Sequence, residues 1–501
     1  MTKQVLETLT PGMQLVSNGN SVYTVTESFA NQFKSGDKVY CIDGESEPII
    51  IPKEDIDALD KMMRNAQNGF ESLATLDASV IDAFYGYVLA YLSDDNRWQT
   101  IQSINNHDVE NAQKKGRSTT RLVADDRCRK NMIECVRSIQ QQAVSINDVV
   151  QQRRHDGWVA TVQASPLGIV GFVFEGRPNV IVDATGLLKS GNAVVFRVGS
   201  DALQTAVAIM NTVIYPALDA AGISRHAIQL IDSSQRSAGW ALFSHSDIGL
   251  AVARGSGKAV RMLSSIARQS GIPVSVHGTG GAWMVTSAFT DGRRLHDAIV
   301  CSLDRKVCNT LNTLCVLESE MSRQLPIIQA ALAEAGDHLG ASFKVHVESS
   351  TRRFVSPEMR ESYVTVHRAA GVCDEYQYDT IDRSELGREW EWEKTPEISL
   401  IAVASIDEAV ALFNRYSPQF IASLISDSAS EQSSFFKAVN APFVGNGMTR
   451  WVDGHYIFHT PELGLSNWEN GRLLARSGVL SGDTVVTQRI YMEQALSRLK
   501  R

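Results

Sequence analysis

No apolar run in this 501-residue chain reaches the ~18 residues that a membrane-spanning helix needs. The best attempt, VIDAFYGYVLAYL at 80–92, is short and carries Asp82. Its Ile81, Phe84, Val88 and Leu92 share one helical face, which predicts a packed helix. The N-terminal MTKQVLETLTPG lacks the apolar stretch of a secretory leader. Paired cysteines are missing too: there are seven in all, an odd number, and no Cys-x-x-Cys. These absences lead us to expect reduced thiols, a cytoplasmic location and no metal site. An excess of one charge is also lacking. A net charge of −8 is mild for this length and gives no electrostatic case for nucleic acid. There is no low-complexity tract and no internal repeat.

What is present is the grammar of a large α/β protein. The length exceeds one ordinary core and predicts two or three domains. Residues 13–53 read as a small β unit, with a SNGN turn before VYTVT and further strands at KVYCI and PIIIP. Residues 54–148 read as helical. QQRRHDGWVATVQ (151–163) reads as an exposed hairpin around Asp-Gly. From Ser165 onward, continuous apolar strands such as GIVGFVF and NAVVFRV alternate with helices, the pattern of a parallel sheet covered on both faces. A second α/β round starts near Ala282 with AWMVT, DGRRLHDAIVC and TLCVL.

Three motifs can carry chemistry. ARGSGKAV (253–260) ends a strand and opens a helix, so backbone N–H groups near Gly255, Ser256 and Gly257 suit a phosphate. It is neither a full G-x-G-x-x-G nor a P-loop. Arg197 ends the strand NAVVFRV and is followed by Ser200 and Asp201. An arginine there would attract a ribose 2′-phosphate and favour NADP, or it is a solvated strand-end arginine, and both readings stay open. DRKVCNTLNTLCVL (304–317) holds Cys308, with Cys301 and Cys315 seven residues away on either side. One of the three is a nucleophile, or all are small buried residues.

The segment SPLGIVGFVFEGRPNVIVDATGLLKSGNAVVFRVGSDA (165–202) resembles the γ-glutamyl phosphate reductases, also called glutamate-5-semialdehyde dehydrogenases, of the aldehyde dehydrogenase superfamily. The resemblance continues in VENAQKKGRSTTRL, DRKVCNTLNTLCVL, NGMTRWVDG and ELGLSNWENGRLLARSG, and covers roughly residues 105–490. It implies an NADPH-dependent reduction of an acyl phosphate, with a role in proline biosynthesis. Cys308 would be the nucleophile, with Asn179 donating to the oxyanion. Thr449 and Arg450 would meet the substrate, with Asn309 and His277 beside it. Cys301 and Cys315 are then expected to be packed. The water-activating glutamate of acid-forming aldehyde dehydrogenases is missing from the aligned VHGTGGAW (276–283), which has no carboxylate. Without such a base a thioester should survive until hydride arrives.

The implied architecture is two parallel-sheet α/β domains plus an oligomerisation hairpin and the extra β unit. We place the β unit at 1–55 and the cofactor domain at 56–277, interrupted by the hairpin 151–163. The catalytic domain follows at 278–465, and a C-terminal return with the oligomerisation strand at 466–501. A homo-oligomer and a small-molecule substrate are expected, and the β unit could meet a further partner. Departures from the family pattern cluster near the cysteine. Arg305-Lys306 replaces an Arg-Pro, Asn312 replaces a glutamate, and Ala282-Trp283 replaces a Cys-His. Two rivals remain: another aldehyde dehydrogenase or CoA-acylating reductase, and a non-catalytic scaffold.

Overall fold

Strands buried on both faces must be covered on both faces, and this requirement organises the chain. The computed structural model describes residues 5–495 except 18, 43, 118, 120, 143–145, 175, 369–370, 466–467, 470–471 and 474–477. Much of the expected C-terminal return, 466–501, therefore lies outside the described residues. The chain divides into two units. The first comprises residues 1–278, 458–464 and 479–501, and the second 279–457 and 465–478.

The first unit opens with a hairpin of β1 (Gln14–Ser17) and β2 (Ser21–Thr24), then α1 (Glu27–Gln32), then β3 (Lys38–Tyr40) against β4 (Ile49–Ile51). Leu9, Val25 and Phe29 form its small core. Helices α2 (Lys53–Leu73), α3 (Ala78–Leu92), α4 (Asp95–Lys114) and α5 (Asp126–Gln141) follow. The apolar face read in α3 is buried: Ile81, Phe84, Val88 and Leu92 are at most 5% exposed. β5 (Val149–His155) and β6 (Trp158–Pro166) form the hairpin about Asp156-Gly157, where Gly157 has φ +82°. A C-terminal strand, Val486–Gln494, pairs antiparallel along all of β6.

The sheet of this unit then assembles from β7 (Ile169–Phe174), β8 (Ala193–Val198), β9 (Ile228–Leu230), β10 (Ile248–Arg254) and β11 (Val274–His277). All pairs are parallel, in the order β11-β10-β7-β8-β9. Every residue of β7 and β8 is buried. Between the strands run α6 (Val180–Thr185), α7 (Leu203–Ile209), α8 (Tyr215–Ala221), α9 (Arg236–Phe243) and α10 (Gly257–Gln269). The N-terminal β unit leans on α10. The Tyr40 hydroxyl meets Ser270 Oγ at 2.9 Å, Gln269 donates to the Cys41 carbonyl, and Lys258 pairs with Glu45 at 3.0 Å.

The second unit carries β12 (Ala282–Thr286), α11 (Gly292–Cys301), β13 (Leu311–Leu317), α12 (Met321–His338) and β14 (Lys344–Glu348). Next come a ribbon of β15 (Tyr363–Arg368) and β16 (Gly371–Tyr376), then β17 (Tyr378–Ile381), β18 (Glu397–Val403), β19 (Ile421–Ile425) and β20 (Phe443–Gly445). Its seven-stranded parallel sheet runs β17-β14-β18-β13-β12-β19-β20. The ribbon is held to the sheet by charge. Arg368 binds Glu375 and Glu397, and Lys344 binds Glu375 at 2.7 Å. Among the described residues no single helix is long and apolar enough to cross a membrane.

Candidate functional site

In the first unit, β10 ends at Arg254 and the chain turns through Gly255-Ser256 into α10. Ser256 occupies the N-cap position, but its side chain makes no capping bond. The first N–H groups of this 13-residue helix have no intrahelical acceptor, which leaves them for an anion. A Cβ at Gly278 would stand 3.3 Å from the Gly257 Cα, so the turn is closely stacked there.

A cavity of about 870 Å³ opens in front of this turn. Arg197, Ser200, Gly255 and Ser256 line it, and Gly257 begins the helix behind. Arg197 is not a solvated strand-end arginine. It is 7% exposed and donates to the backbone carbonyls of Gln235 and Ser234. Gly239 makes this possible, since a Cβ there would already sit 3.3 Å from the Arg197 Cδ. Burial first, and the nearby Arg236 second, hold the Arg197 guanidinium below its ordinary value.

The cavity also collects Arg117, Arg236, Arg254 and Lys258. Arg117 pairs with Asp201, Arg254 with Glu462 and Lys258 with Glu45. Among the described residues no carboxylate pairs with Arg197 or Arg236. Two like charges facing one cavity without a counter-ion suit a phosphoryl group. The residues present therefore fit a polyanionic nucleotide cofactor. Arg236 carried no motif and was missed in the sequence. Arg117 lay inside the stretch VENAQKKGRSTTRL.

In the second unit, Cys308 sits half-buried on the loop between α11 and β13. That loop is closed on itself. The Thr310 hydroxyl donates to the Arg305 carbonyl and accepts from the Val307 N–H. The Gly281 N–H donates to the Cys308 carbonyl at 2.8 Å. Gly280 is pressed against Cys308, for a Cβ there would fall 2.5 Å from the Cys308 Cα. A second loop locks on from the side. Thr449 donates through its hydroxyl to the Asn309 carbonyl and through its N–H to Ser302 Oγ. Asn309 donates to the Val452 carbonyl and accepts from Arg450, whose Nε holds Asp304 at 2.6 Å. Asn309 and Thr449 are thus buried scaffold of the cysteine loop, and two of Arg450's nitrogens are engaged in it.

Asn179 and His277 lie in the first unit. Asn179 precedes α6 and is half-buried, and its amide makes no cap to that helix. His277 ends β11, is 7% exposed, and its carbonyl accepts from the Gly255 N–H, so it borders the glycine turn. Cys315 is packed in β13, and burial pushes its thiol far up. Cys301 is not packed as expected, because the last residue of α11 faces outward. Among the described residues no group of three or more metal-ligating side chains forms.

One residue the sequence hid is Glu389. The segment 276–283 has no carboxylate of its own, yet one reaches it in space. Glu389 Oε2 accepts from the Gly280 N–H at 2.7 Å, while Oε1 pairs with Lys306.

The chain is similar to several known proteins. The γ-glutamyl phosphate reductase 2 of Bacillus licheniformis is 29% identical over 62% of this chain and 67% of its own length. The γ-glutamyl phosphate reductase of Colwellia psychrerythraea is 26% identical over 81% of this chain and 91% of its own. The crystal structure of γ-glutamyl phosphate reductase from Thermotoga maritima superposes with a TM-score of 0.74 at 22% identity, over 88% of this chain and all of that one. The sequence pattern of the aldehyde dehydrogenase family matches residues 47–348, more than half of the chain. The chain belongs to the aldehyde dehydrogenase family, whose members are oxidoreductases that work with a nicotinamide cofactor.

Proposed function

We propose that this chain reduces an acyl phosphate, γ-glutamyl phosphate in the first instance, to its semialdehyde with NADPH. The observation that carries the reading is Cys308, half-buried on a loop that is tied on both sides. The names of the curated relatives support the substrate.

The Cys308 thiolate attacks the acyl carbon. The C–S bond forms, the C–O bond to phosphorus breaks, and phosphate departs with the electron pair. Asn179 donates its side-chain amide to the oxyanion and the Cys308 N–H is the second donor. Losing one such donor costs about 3–4 kcal/mol of barrier, so Asn179→Ala is expected to lower kcat ~100- to 1000-fold. The site must favour the thiolate, because a free cysteine has a pKa of ~8.5. Arg197 and Arg236 would hold the 2′-phosphate of NADPH, and the start of α10, with Ser200 and Gly255 to Gly257, its pyrophosphate. When bound, the reduced nicotinamide supplies the hydride that brings the thioester carbon to the aldehyde level. Cys308 is released as thiolate when the C–S bond of the thiohemiacetal breaks. Arg450, with Thr449 and Asn309 beside it, is the candidate for the substrate's carboxylate, and His277 is a further substrate-binding candidate. The product semialdehyde would cyclise to pyrroline-5-carboxylate.

We further place the protein in the cytoplasm as a homo-oligomer. The three-stranded sheet of β5, β6 and the C-terminal strand would be its flap, since it exposes Val149, Val150, Ile490, Tyr491 and Met492. The test of the reaction is NADP reduction by a panel of semialdehydes with phosphate, CoA or water as acceptor. Phosphate-dependent turnover is expected. Turnover that is fastest with water alone would overturn the reading.

A further inference from the structure

Lys306 and Asn312, which flank Cys308 in the sequence, meet on one short segment, Arg388–Trp390. Asn312 stands at the start of strand β13. Its amide donates to the Arg388 carbonyl at 2.9 Å, and its Oδ1 accepts from the Trp390 N–H at 2.9 Å. These two bonds bracket Glu389, which then reaches the Gly280 N–H with one oxygen and the Lys306 ammonium with the other. Lys306 is 9% exposed and Glu389 16%. Gly280 presses on Cys308, and Lys306 is two residues before it.

We propose that Glu389 and Lys306 form a positioning clamp for the Cys308 loop. It fixes the nucleophile against the Gly280-Gly281 turn and adds no net charge beside it. The proposal rests on the reading of Cys308 as nucleophile. Each Glu389 oxygen already accepts from a donor of the loop or its neighbouring turn, which ties the carboxylate to positioning. Partly buried charge pairs of this kind are costly to break from one side only, since the remaining charge is left uncompensated. Of the other charges in reach, Arg450 is 11% exposed and pairs with Asp304, and the rest are more exposed. Glu391 lies 3.8 Å from the Lys306 ammonium and is 77% exposed, Arg305 faces Asp304, and Arg388 faces Glu385.

The test is the rate of Cys308 alkylation by iodoacetamide against pH, followed on the modified peptide by mass spectrometry in the full-length protein. Lys306→Met leaves a carboxylate uncompensated and is expected to raise the pH midpoint. Glu389→Gln leaves an ammonium uncompensated and is expected to lower it. The double variant is expected to return near the wild-type midpoint. Each single variant is expected to lower kcat about tenfold, through misplacement of the nucleophile. Glu389→Gln is isosteric and keeps an acceptor for Gly280, so a preserved melting temperature shows that it folds. Unchanged midpoints and turnover in both single variants would overturn the clamp. So would a Glu389→Gln variant in which only hydrolysis of the acylated cysteine slows, because that would make Glu389 a base. Alkylation needs no acyl substrate. A Cys308→Ala variant that still turns over would therefore sink the proposed reaction while leaving the clamp separately measurable.

Discussion

The cavity of the first unit and the cysteine loop of the second both depend on charge, but they use it differently. Around the cavity, Arg117, Arg254 and Lys258 are neutralised by Asp201, Glu462 and Glu45, while Arg197 and Arg236 line it with no carboxylate partner among the described residues. Around the cysteine, Lys306 is answered by Glu389, and Arg450 by Asp304 and Asn309. A site with surplus charge is arranged to take up a charged ligand. A site with cancelled charge is arranged to hold its own geometry, so that Cys308 is set by backbone contacts such as that with Gly280.

The sharpest way to break this contrast is Cys308→Ala. Turnover is expected to vanish while nucleotide affinity, measured by titration, stays within about twofold, because no packing change this small should reach the other unit. A parallel loss of nucleotide binding would make the cysteine structural. Gly280→Ala comes next. Its new Cβ would meet the Cys308 Cα at 2.5 Å, so the loop must shift. A fall in kcat of about 100-fold with unchanged nucleotide affinity is expected.

Arg236→Gln probes the other side. It is expected to weaken NADPH binding about 10- to 100-fold, the range of a charge-assisted bond, and to leave NADH nearly untouched. Equal losses for both nucleotides would remove Arg236 from the 2′-phosphate. The smallest effect concerns charge that holds structure. The Arg368 guanidinium, with Lys344 beside it, holds the Glu375 carboxyl well below the usual range. Its stabilisation is therefore present above the unfolded value of ~4.3 and is lost as pH falls below it. Glu375→Gln is expected to melt earlier at pH 7 and to lose less on acidification to pH 3 than the wild type. Parallel curves for the two proteins would contradict this.

Much of the frame was readable in the sequence where burial is extreme. β7, β8 and β10 declare themselves because strands covered on both faces are continuously apolar. The glycine turn at 255–257 and the cysteine between α11 and β13 were local patterns, visible within a dozen residues. The ribbon β15–β16 was not, since β16 is almost wholly exposed and sets Asp374 and Glu375 among small and apolar residues without a clean alternation. Glu389 could not be read at all. Its contacts with Gly280 and Lys306 span 109 and 83 positions, and only the fold brings them together. Arg236 shows the same limit, for it acquires meaning only beside the buried Arg197. The outward-facing Cys301 differs from a packed residue by the last turn of one helix, a boundary that periodicity does not resolve.

The most direct test of the whole account is to mix the protein with authentic γ-glutamyl phosphate while withholding NADPH, and to map the acylated peptide by mass spectrometry. The account predicts a persistent acyl adduct on Cys308, discharged as aldehyde once NADPH is added. An adduct on another residue, or none at all, would contradict it.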